Sequence, residues 1–444
     1  MRIRYLKSST IAIEGNSVKI LTDPWLVDGE YYGSWFHYPE FQFDEEYFND
    51  IDYIYVSHIH PDHFSIKTFQ KLSKRIPVLI HTYESKFLKL NIERLGFTVT
   101  ELPHNTRVHL KNGVHINILA ADNCNPEHCA RFHGCSIIET KFGSTQIDSL
   151  CVIDDGEHVI LNTNDCPFIL ARPALEEVRK LYPKIDFLLV GYGGAGPFPQ
   201  CFNISDEEKL KAAERKKLSF LKLGVEFIKL MNPTYVLPFA GTYVLGGTLS
   251  KLQKFRGVPE IEEAAEYFTQ NINNNAQVVL LNTYEFFDLK SKKCSKDYIP
   301  ANLTDKHNYI DNVLSKNKYI FEADDEPELA NLLELIEPAY QRFEENRKKL
   351  GIQSDTMILL RLPENKWCSI SMKGEGYKVV SEQEKQSIGN FVSYSVDFKL
   401  LSRILRGPKF AHWNNAEIGS HITFERVPEI YERELYFLMC FFHA

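Results

Sequence analysis

The residues with the clearest chemical potential are four ligand-type side chains within six positions: His58, His60, Asp62 and His63. An apolar run over 51–56 precedes them and predicts a buried strand, and a helix is predicted directly after them. In a loop that leaves a strand, residues two positions apart face the same way, so the first two histidines can point to one side. The aspartate and the third histidine follow a proline bend and can reach a neighbouring position. Imidazole and carboxylate groups in this arrangement are typical ligands of one or two transition-metal ions, so the segment predicts a metal site.

Further ligands must come from other parts of the chain. Asp165 lies just beyond a strand predicted over 158–161, and a carboxylate at the end of a strand can bridge two ions because each oxygen can bind one. We therefore predict that Asp165 is a ligand. A third imidazole would complete a site with the first two histidines of the segment. His128 is preferred for this position over His133, and the choice between them stays open.

Length and composition set broad limits on the class of protein. The chain has 444 residues, of which 44% are hydrophobic and 25% are charged, which predicts two soluble domains with a large core. The net charge of -8 gives no general support for binding to nucleic acid or to an anionic membrane. Nine cysteines in irregular spacing argue against a disulfide framework. We expect a cytoplasmic protein without a membrane span or a nucleic-acid partner.

The order of predicted elements divides the chain into three parts. Short strands alternate with helices over 1–290, which predicts an α/β layered domain. A long helix is predicted over 206–231, with Ser205 as its N-cap. Residues 291–325 are polar and rich in lysine, as in a linker or an irregular excursion. Residues 326–444 are predicted to form a smaller α+β domain.

The start of this second domain has a helix pattern of its own. A helix is predicted over 326–350, with Asp325 and Glu328 placed as a capping box and Gly351 as its C-terminal stop. Strands are predicted to follow it, among them one over 356–362. Mixed helices and strands without a repeat indicate a small α+β unit.

These motifs resemble a known family. His-x-His-x-Asp-His after a strand resembles the motif of the metallo-β-lactamase superfamily, and the similarity is closest to the metallo-β-lactamase-like part of CMP-N-acetylneuraminate hydroxylase. The resemblance implies a four-layer αββα sandwich with a metal site at one edge. The segments that carry it cover most of the chain: 23–26, 58–63, 162–166, 193–199, 214–218, 238–243 and 428–431.

The sequence departs from the family pattern in two respects. The hydroxylase carries a Rieske domain with Cys-x-His and Cys-x-x-His ligand pairs, and the first of these motifs does not occur in this sequence. Any oxidation would therefore need electrons from a separate electron-transfer protein. Related hydrolases place a further histidine where this chain has Phe239. The second metal position would keep Asp62, His63 and Asp165 but lose an imidazole, which leaves room for water, substrate or O₂, or lowers the occupancy to one ion.

Five residues are candidates for substrate binding. The turn over 191–196 follows a strand, and the backbone N–H groups of its glycines could bind a phosphate, although a tight structural turn explains the same residues. Arg215 and Lys216 could contact phosphate if the helix predicted over 206–231 borders the site, or they could form an exposed face of that helix. The tyrosine could line a pocket or belong to the core. The candidates are Gly193, Gly194, Arg215, Lys216 and Tyr243.

Three functions are compatible with these residues. The first is a metal-dependent hydroxylase-like enzyme with iron, acting on a nucleotide-activated or phosphorylated sugar. The second is a zinc or manganese hydrolase of a phosphoester or lactone, in which Asp62 orients or deprotonates a water and Asp165 bridges the ions. The third is a binding module with a structural metal, against which the number of convergent ligands argues. The sequence does not distinguish iron from zinc, or one ion from two.

Overall fold

Two large β-sheets stack face to face in the first part of the chain. The computed structural model describes residues 1–83, 86–121, 148–272 and 275–444. The strands of this part are β1 (Arg2–Lys7), β2 (Thr10–Gly15), β3 (Val18–Thr22), β4 (Trp35–Phe36), β5 (Tyr53–Tyr55), β6 (Val78–His81), β7 (Val99–Leu102), β8 (Val108–Lys111), β9 (Val114–Ala120), β10 (Ser149–Asp154), β11 (Val159–Asn162), β12 (Phe187–Gly191), β13 (Tyr235–Phe239), β14 (Val244–Leu245), β15 (Gln277–Val278), β16 (Phe286–Asp288) and β17 (Lys293–Cys294). The first sheet has the order β17-β16-β1-β2-β3-β5-β6-β7, and the second has the order β15-β13-β12-β11-β10-β9-β8.

Helices cover the outer faces of both sheets. They are α2 (Glu45–Asn49), α3 (Ile66–Lys71), α4 (Phe87–Arg94), α5 (Phe168–Leu181), α6 (Asp206–Met231) and α7 (Ile261–Asn271), whereas the short α1 (Glu30–Gly33) lies beside β4. The long helix α6 begins after its N-cap Ser205, as the sequence predicts, and the Ser205 side chain forms a capping box with Glu208. A 3₁₀ helix, Gly247–Phe255, precedes α7.

Alternate side chains of a strand face different layers of the sandwich. On β10, Cys151 and Ile153 pack between the two sheets, whereas Leu150 and Val152 pack against α5 and α6. The first sheet likewise has one face in the central core, and its other face packs against α2, α3 and α4. Strands with two apolar faces are expected where a sheet is covered on both sides. The four-layer αββα sandwich predicted from the sequence is confirmed.

A smaller α+β unit forms the last part of the chain. Helix α8 (Leu303–Asn312) precedes this unit and packs beside β14 of the first part. The elements of the unit are α9 (Leu329–Leu350), β18 (Met357–Leu362), β19 (Lys366–Ile370), β20 (Tyr377–Ser381), α10 (Glu382–Lys385), β21 (Phe391–Val396), α11 (Phe398–Leu405), α12 (Trp413–Ile418), β22 (Ile422–Val427) and α13 (Arg433–Met439). The sheet order is β20-β19-β18-β21-β22. Its core joins Ile336 and Phe343 of α9 to Leu360 and Tyr394 of the sheet. The smaller C-terminal α+β domain is thus present.

The predicted boundaries differ from the observed elements in detail. Position 290 lies in the turn between β16 and β17, and β16 pairs with β1 of the first sheet. Residues 291–325 include α8 and two short 3₁₀ helices, Leu314–Lys316 and Ile320–Ala323. The hairpin of β16 and β17 belongs to the sandwich and extends past position 290. The division of the chain at 290 and 325 stays a prediction.

The predicted capping box of the second domain is wrong. Helix α9 begins after Glu328, which makes no side-chain cap hydrogen bond. The cause is Pro327, because a residue that precedes proline is disfavoured in helical conformation and Glu326 therefore stays outside the helix. The C-terminal stop is as predicted, since Gly351 adopts the left-handed conformation with φ of 70°. No described helix combines the length and the apolar character that a membrane span needs.

The second domain docks on the first through a short strand-like contact. The N–H of Phe424 donates to the carbonyl of Cys201 at 2.8 Å, and the N–H of Asn203 donates to the carbonyl of Phe424 at 2.7 Å. The rings of Phe202 and Phe424 stack with centroids 5.1 Å apart. This contact fixes β22, and the loop before it, against the sandwich.

Replacing the buried ring at this contact tests the packing. Phe424→Ala should lower the free energy of unfolding by about 3–5 kcal/mol, because the side chain is fully buried in the second core and touches the first domain. Chemical denaturation followed by circular dichroism measures the change. Val379→Ala is the control, since this strand residue is 41% exposed and should change stability by less than about 0.5 kcal/mol. Equal effects of the two substitutions would contradict the described packing.

Candidate metal centre

The candidate metal centre lies at one edge of the sandwich, where several strands end. Asp23 follows β3, His58 follows β5 and Asp165 follows β11. Strands β3 and β5 are parallel, so their carboxyl ends meet at the same edge. Asp148 comes directly before β10, which runs antiparallel to β11. The two sheets therefore bring residues that are distant in sequence to a single site.

Four of the predicted ligands converge. One ligand atom each from His58, His63 and Asp165 lies within 4.8 Å of the other two. The Nε2 atom of His63 is 3.2 Å from a carboxylate oxygen of Asp165 and 3.6 Å from one of Asp62. The two histidines are buried, whereas the side chain of Asp165 is 37% exposed. A small set of donors thus faces a common point that is open on the Asp165 side.

His60 lies beside this group but has a different hydrogen-bond partner. Its ring contacts the ring of His58, with centroids 4.8 Å apart. Its Nε2 atom is 3.0 Å from the amide oxygen of Asn414 on α12, to which it donates. In a neutral ring the lone pair is then on Nδ1. His128 and His133 fall outside the described residues, so the predicted third imidazole is not placed by the structure.

Asp23 is a buried carboxylate that orients residues 57–63, the ligand loop. It accepts hydrogen bonds from the N–H and the hydroxyl of Ser57, both at 2.7 Å, and lies 2.9 Å from Nδ1 of His63. Burial raises the pKa of Asp23, against the charge of His63 and the hydrogen bonds from Ser57, which lower it. A histidine that donates from one nitrogen to a carboxylate presents the other nitrogen to a metal. Asp23 was part of the family resemblance, but its role in the site was not predicted.

The Ser57 hydroxyl also determines the tautomer of His58. Because Ser57 donates its only hydroxyl proton to Asp23, its oxygen accepts from Nδ1 of His58 at 2.9 Å. Asp148, which the sequence analysis missed, is 3.3 Å from the same nitrogen. Burial and the charge of Asp165 raise the pKa of Asp148 to about 7. No motif in the sequence marks Asp148 as part of the site.

Tyr31 is a second residue that the sequence analysis missed. Its hydroxyl donates to the carboxylate of Asp62. The backbone of Tyr31 is left-handed, with φ of 50°, which is unusual for an aromatic residue. The second domain contacts this residue, since Nε2 of His421 donates to the carbonyl of Tyr31 at 2.8 Å. No motif or periodicity marks a contact of this kind.

The charges of the site favour a bound cation. Burial and the positive charges of His63 and His60 hold the pKa of His58 well below its usual range. Burial also acts to lower the pKa of His63, but the carboxylates of Asp165, Asp62 and Asp23 outweigh it and raise that pKa well above the usual range. The neighbouring carboxylates thus require positive charge at this position.

A divalent ion fits this donor set. The Nε2 atom of His58 is buried and makes no hydrogen bond to any described residue. Buried polar atoms normally have partners, so an orphaned nitrogen beside acidic side chains indicates an absent ligand. Imidazole nitrogen and carboxylate oxygen together suit zinc, iron or manganese. His58, His63, Asp62 and Asp165 are the residues that would hold such an ion.

The predicted substrate-binding residues occupy different environments. Gly193 packs near Gly241, and a Cβ at Gly194 would lie 1.9 Å from the ring of Phe220, so close packing accounts for both glycines. Arg215 is exposed on α6. Their role in phosphate binding stays a prediction.

Three further positions are buried or partly buried. The Nζ atom of Lys216 donates to the carbonyl of Phe198 at 3.0 Å. Tyr243 is buried and stacks on Trp35, with ring centroids 3.5 Å apart. Phe239 packs in the core between the sheets, so its side chain offers no ligand to the site.

Comparison with known families agrees with this geometry. Residues 2–124 match the model of the Beta-lactamase superfamily domain. The chain contains a beta-lactamase superfamily domain. The resemblance predicted from the histidine segment is therefore confirmed, and the domain includes β1 to β9 of the sandwich together with the ligand loop.

Relatives of this chain include larger proteins. One is a Mycolicibacterium smegmatis protein described as a Rieske 2Fe-2S iron-sulfur protein, 27% identical over 54% of this chain and 43% of that protein. Another is the cytidine monophosphate-N-acetylneuraminic acid hydroxylase of Mus musculus, 27% identical over 55% of this chain and 39% of that protein. The chain therefore spans about two fifths of the length of these relatives. Among solved structures, an isothiocyanate hydrolase from Delia radicum gut bacteria covers 65% of this chain and 99% of its own, at 12% identity and a TM-score of 0.45.

Two substitutions test the assignment of ligands. In metal-free protein titrated with zinc, His58→Ala should abolish tight binding, because it removes a buried ligand nitrogen. Asp23→Asn should weaken binding by about 10- to 100-fold, since the orientation of His63 depends on this carboxylate. Asp50→Asn, on an exposed residue after α2, is the matched control and should bind as the wild type does. Unchanged zinc affinity of His58→Ala would show that the ion binds elsewhere.

Proposed function

We propose that this protein is a metal-dependent, hydroxylase-like enzyme that acts on a nucleotide-activated or phosphorylated sugar. The observation that carries the proposal is the convergence of His58, His63 and Asp165 within 4.8 Å. It occurs in a chain whose relatives include a nucleotide-sugar hydroxylase. The ligand set supports a catalytic metal, because its open side, at Asp165, leaves space for a reactant.

The proposed reaction balances with O₂ and an electron donor. One oxygen atom of O₂ enters a C–H bond of the sugar, and the other leaves as water, which requires two electrons and two protons. Iron held by His58, His63, Asp62 and Asp165 would supply O₂ binding and one-electron chemistry. The electrons would come from a separate iron–sulfur protein, a proposal supported by the relative described as a Rieske protein.

Residues around the ligands would keep the site in one geometry. Asp23 and Ser57 hold the ligand histidines so that Nε2 of each faces the centre. Tyr31 holds the carboxylate of Asp62 through its hydroxyl. Asn414 holds the ring of His60 from the second domain. Preorganised side chains of this kind reduce the rearrangement that a reaction requires.

The experiment that tests this proposal compares metals and products. Protein purified without oxygen and loaded with ferrous iron is mixed with a CMP-activated sialic acid, a chemical reductant and ¹⁸O₂. The expected product is the hydroxylated sugar nucleotide with one ¹⁸O atom, detected by mass spectrometry. His58→Ala should lower the rate by at least about 100-fold, and Asp50→Asn should retain it.

A hydrolase would give a different result. It would retain stoichiometric zinc or manganese, and would incorporate ¹⁸O from labelled water into a product of phosphoester or lactone cleavage. That outcome, without incorporation from ¹⁸O₂, would overturn the hydroxylase proposal and support the hydrolase that the same ligands allow.

A further inference from the structure

Arg256 is a buried cation without a charged partner. It follows the 3₁₀ helix Gly247–Phe255, and its side chain is about 5% exposed. Its guanidinium makes a side-chain hydrogen bond with Tyr243, but its Nε and Nη1 atoms have no hydrogen-bond partner among the described residues, and no described carboxylate forms an ion pair with it. The guanidinium lies over the ring of Tyr243, with its carbon 4.2 Å from the ring centre. Because burial of an unpaired charge is strongly unfavourable, this position calls for an anion.

Lys216 is a second cation, and it lies on the side of α6 against which the segment of Arg256 packs. Gly257 packs directly on this helix, since a Cβ there would lie 2.6 Å from the carbonyl oxygen of Ala213, one turn before Lys216. The neighbouring Lys217 forms ion pairs with two glutamates, whereas Lys216 has no ion pair within the described part of the chain. Burial and the positive charge of Arg256 lower the pKa of Lys216 to about 8. The two cations therefore lie close enough to repel each other.

Aromatic rings connect these cations to the metal centre. Tyr243, under the guanidinium, stacks on Trp35 with ring centroids 3.5 Å apart. Trp35 contacts Tyr31 with centroids 4.5 Å apart, and the hydroxyl of Tyr31 donates to Asp62. One continuous aromatic wall thus has a proposed metal ligand at one end and a buried arginine at the other.

We propose that Arg256 and Lys216 form a phosphate-binding subsite for the substrate of the metal centre. The free Nε and Nη1 atoms of the guanidinium can donate N–H groups to phosphate oxygens, and the ammonium adds a point charge. A ligand with two or more negative charges would neutralise both cations, which a neutral sugar could not do. The proposal deepens the proposed function, on which it rests for the identity of the reacting group.

Anion binding to metal-free protein tests the subsite directly. Removal of metal with a chelator prevents phosphate from binding at the metal centre, and isothermal titration calorimetry then measures inorganic phosphate, a hexose 6-phosphate and a nucleoside 5′-monophosphate. We expect Arg256→Met to weaken phosphate binding by at least about tenfold and Lys216→Met to weaken it less. The matched controls, Arg179→Met and Lys222→Met on exposed helical positions, should bind as the wild type does.

Thermal unfolding gives a second readout. Phosphate should raise the melting temperature of the wild type and of Lys222→Met but not that of Arg256→Met, because a ligand stabilises only the protein that binds it. In phosphate-free buffer, Arg256→Met should melt no lower than the wild type, since it removes an unpaired buried charge. If Arg256→Met does not fold, the phosphate-induced rise in melting temperature is compared between the wild type and the variants Arg256→Lys and Lys216→Met.

The outcomes separate this inference from the proposed function. Equal phosphate affinity of Arg256→Met and wild type, or no binding of any of the three probes to the wild type, overturns the subsite. Phosphate binding that depends on Arg256, in a protein that hydroxylates no sugar nucleotide, overturns the proposed function alone. Tighter binding of the nucleotide than of the hexose phosphate identifies a nucleotide sugar as the source of the phosphate, and the reverse order identifies a sugar phosphate.

Discussion

The site depends on one buried carboxylate. Asp23 is fully buried and must be satisfied by the protein, and it takes two hydrogen bonds from Ser57 and one from His63. These bonds leave the Ser57 oxygen as an acceptor for His58. Both histidines therefore present Nε2 to the same space. A single side chain behind the ligand loop thus determines which histidine nitrogens are available to a metal. Removal of its charge would free the rings of His58 and His63 to change orientation.

The second domain is part of the site as well as an addition to the fold. Asn414 accepts from His60, and His421 donates to the carbonyl of Tyr31, whose hydroxyl holds Asp62. The close approach requires Gly419, where a Cβ would lie 2.9 Å from the side chain of Tyr31. The left-handed backbone of Tyr31 is maintained by these contacts, in agreement with the tendency of unusual backbone conformations to occur at functional sites. The ligand loop is consequently held from both domains.

Local patterns in the sequence predicted the local parts of the structure. The long helix over 206–231 and its N-cap Ser205 follow from N-cap chemistry and apolar spacing, and the segment 58–63 shows its candidate ligands within six positions. The contacts between distant residues could not be predicted in this way. Asn414 is 354 positions from His60, and no periodicity links them. The contribution of Asp148 and the missing charge partner of Arg256 likewise emerge only when the sheets and helices are assembled.

The most direct test of the account is the position of the metal itself. Crystals of the protein grown with iron or zinc, measured at the absorption edge of that metal, would show the ion by its anomalous scattering. We predict a peak about 2.0–2.2 Å from Nε2 of His58 or His63 and from a carboxylate oxygen of Asp165. An ion bound elsewhere, with these side chains free of metal, would contradict it.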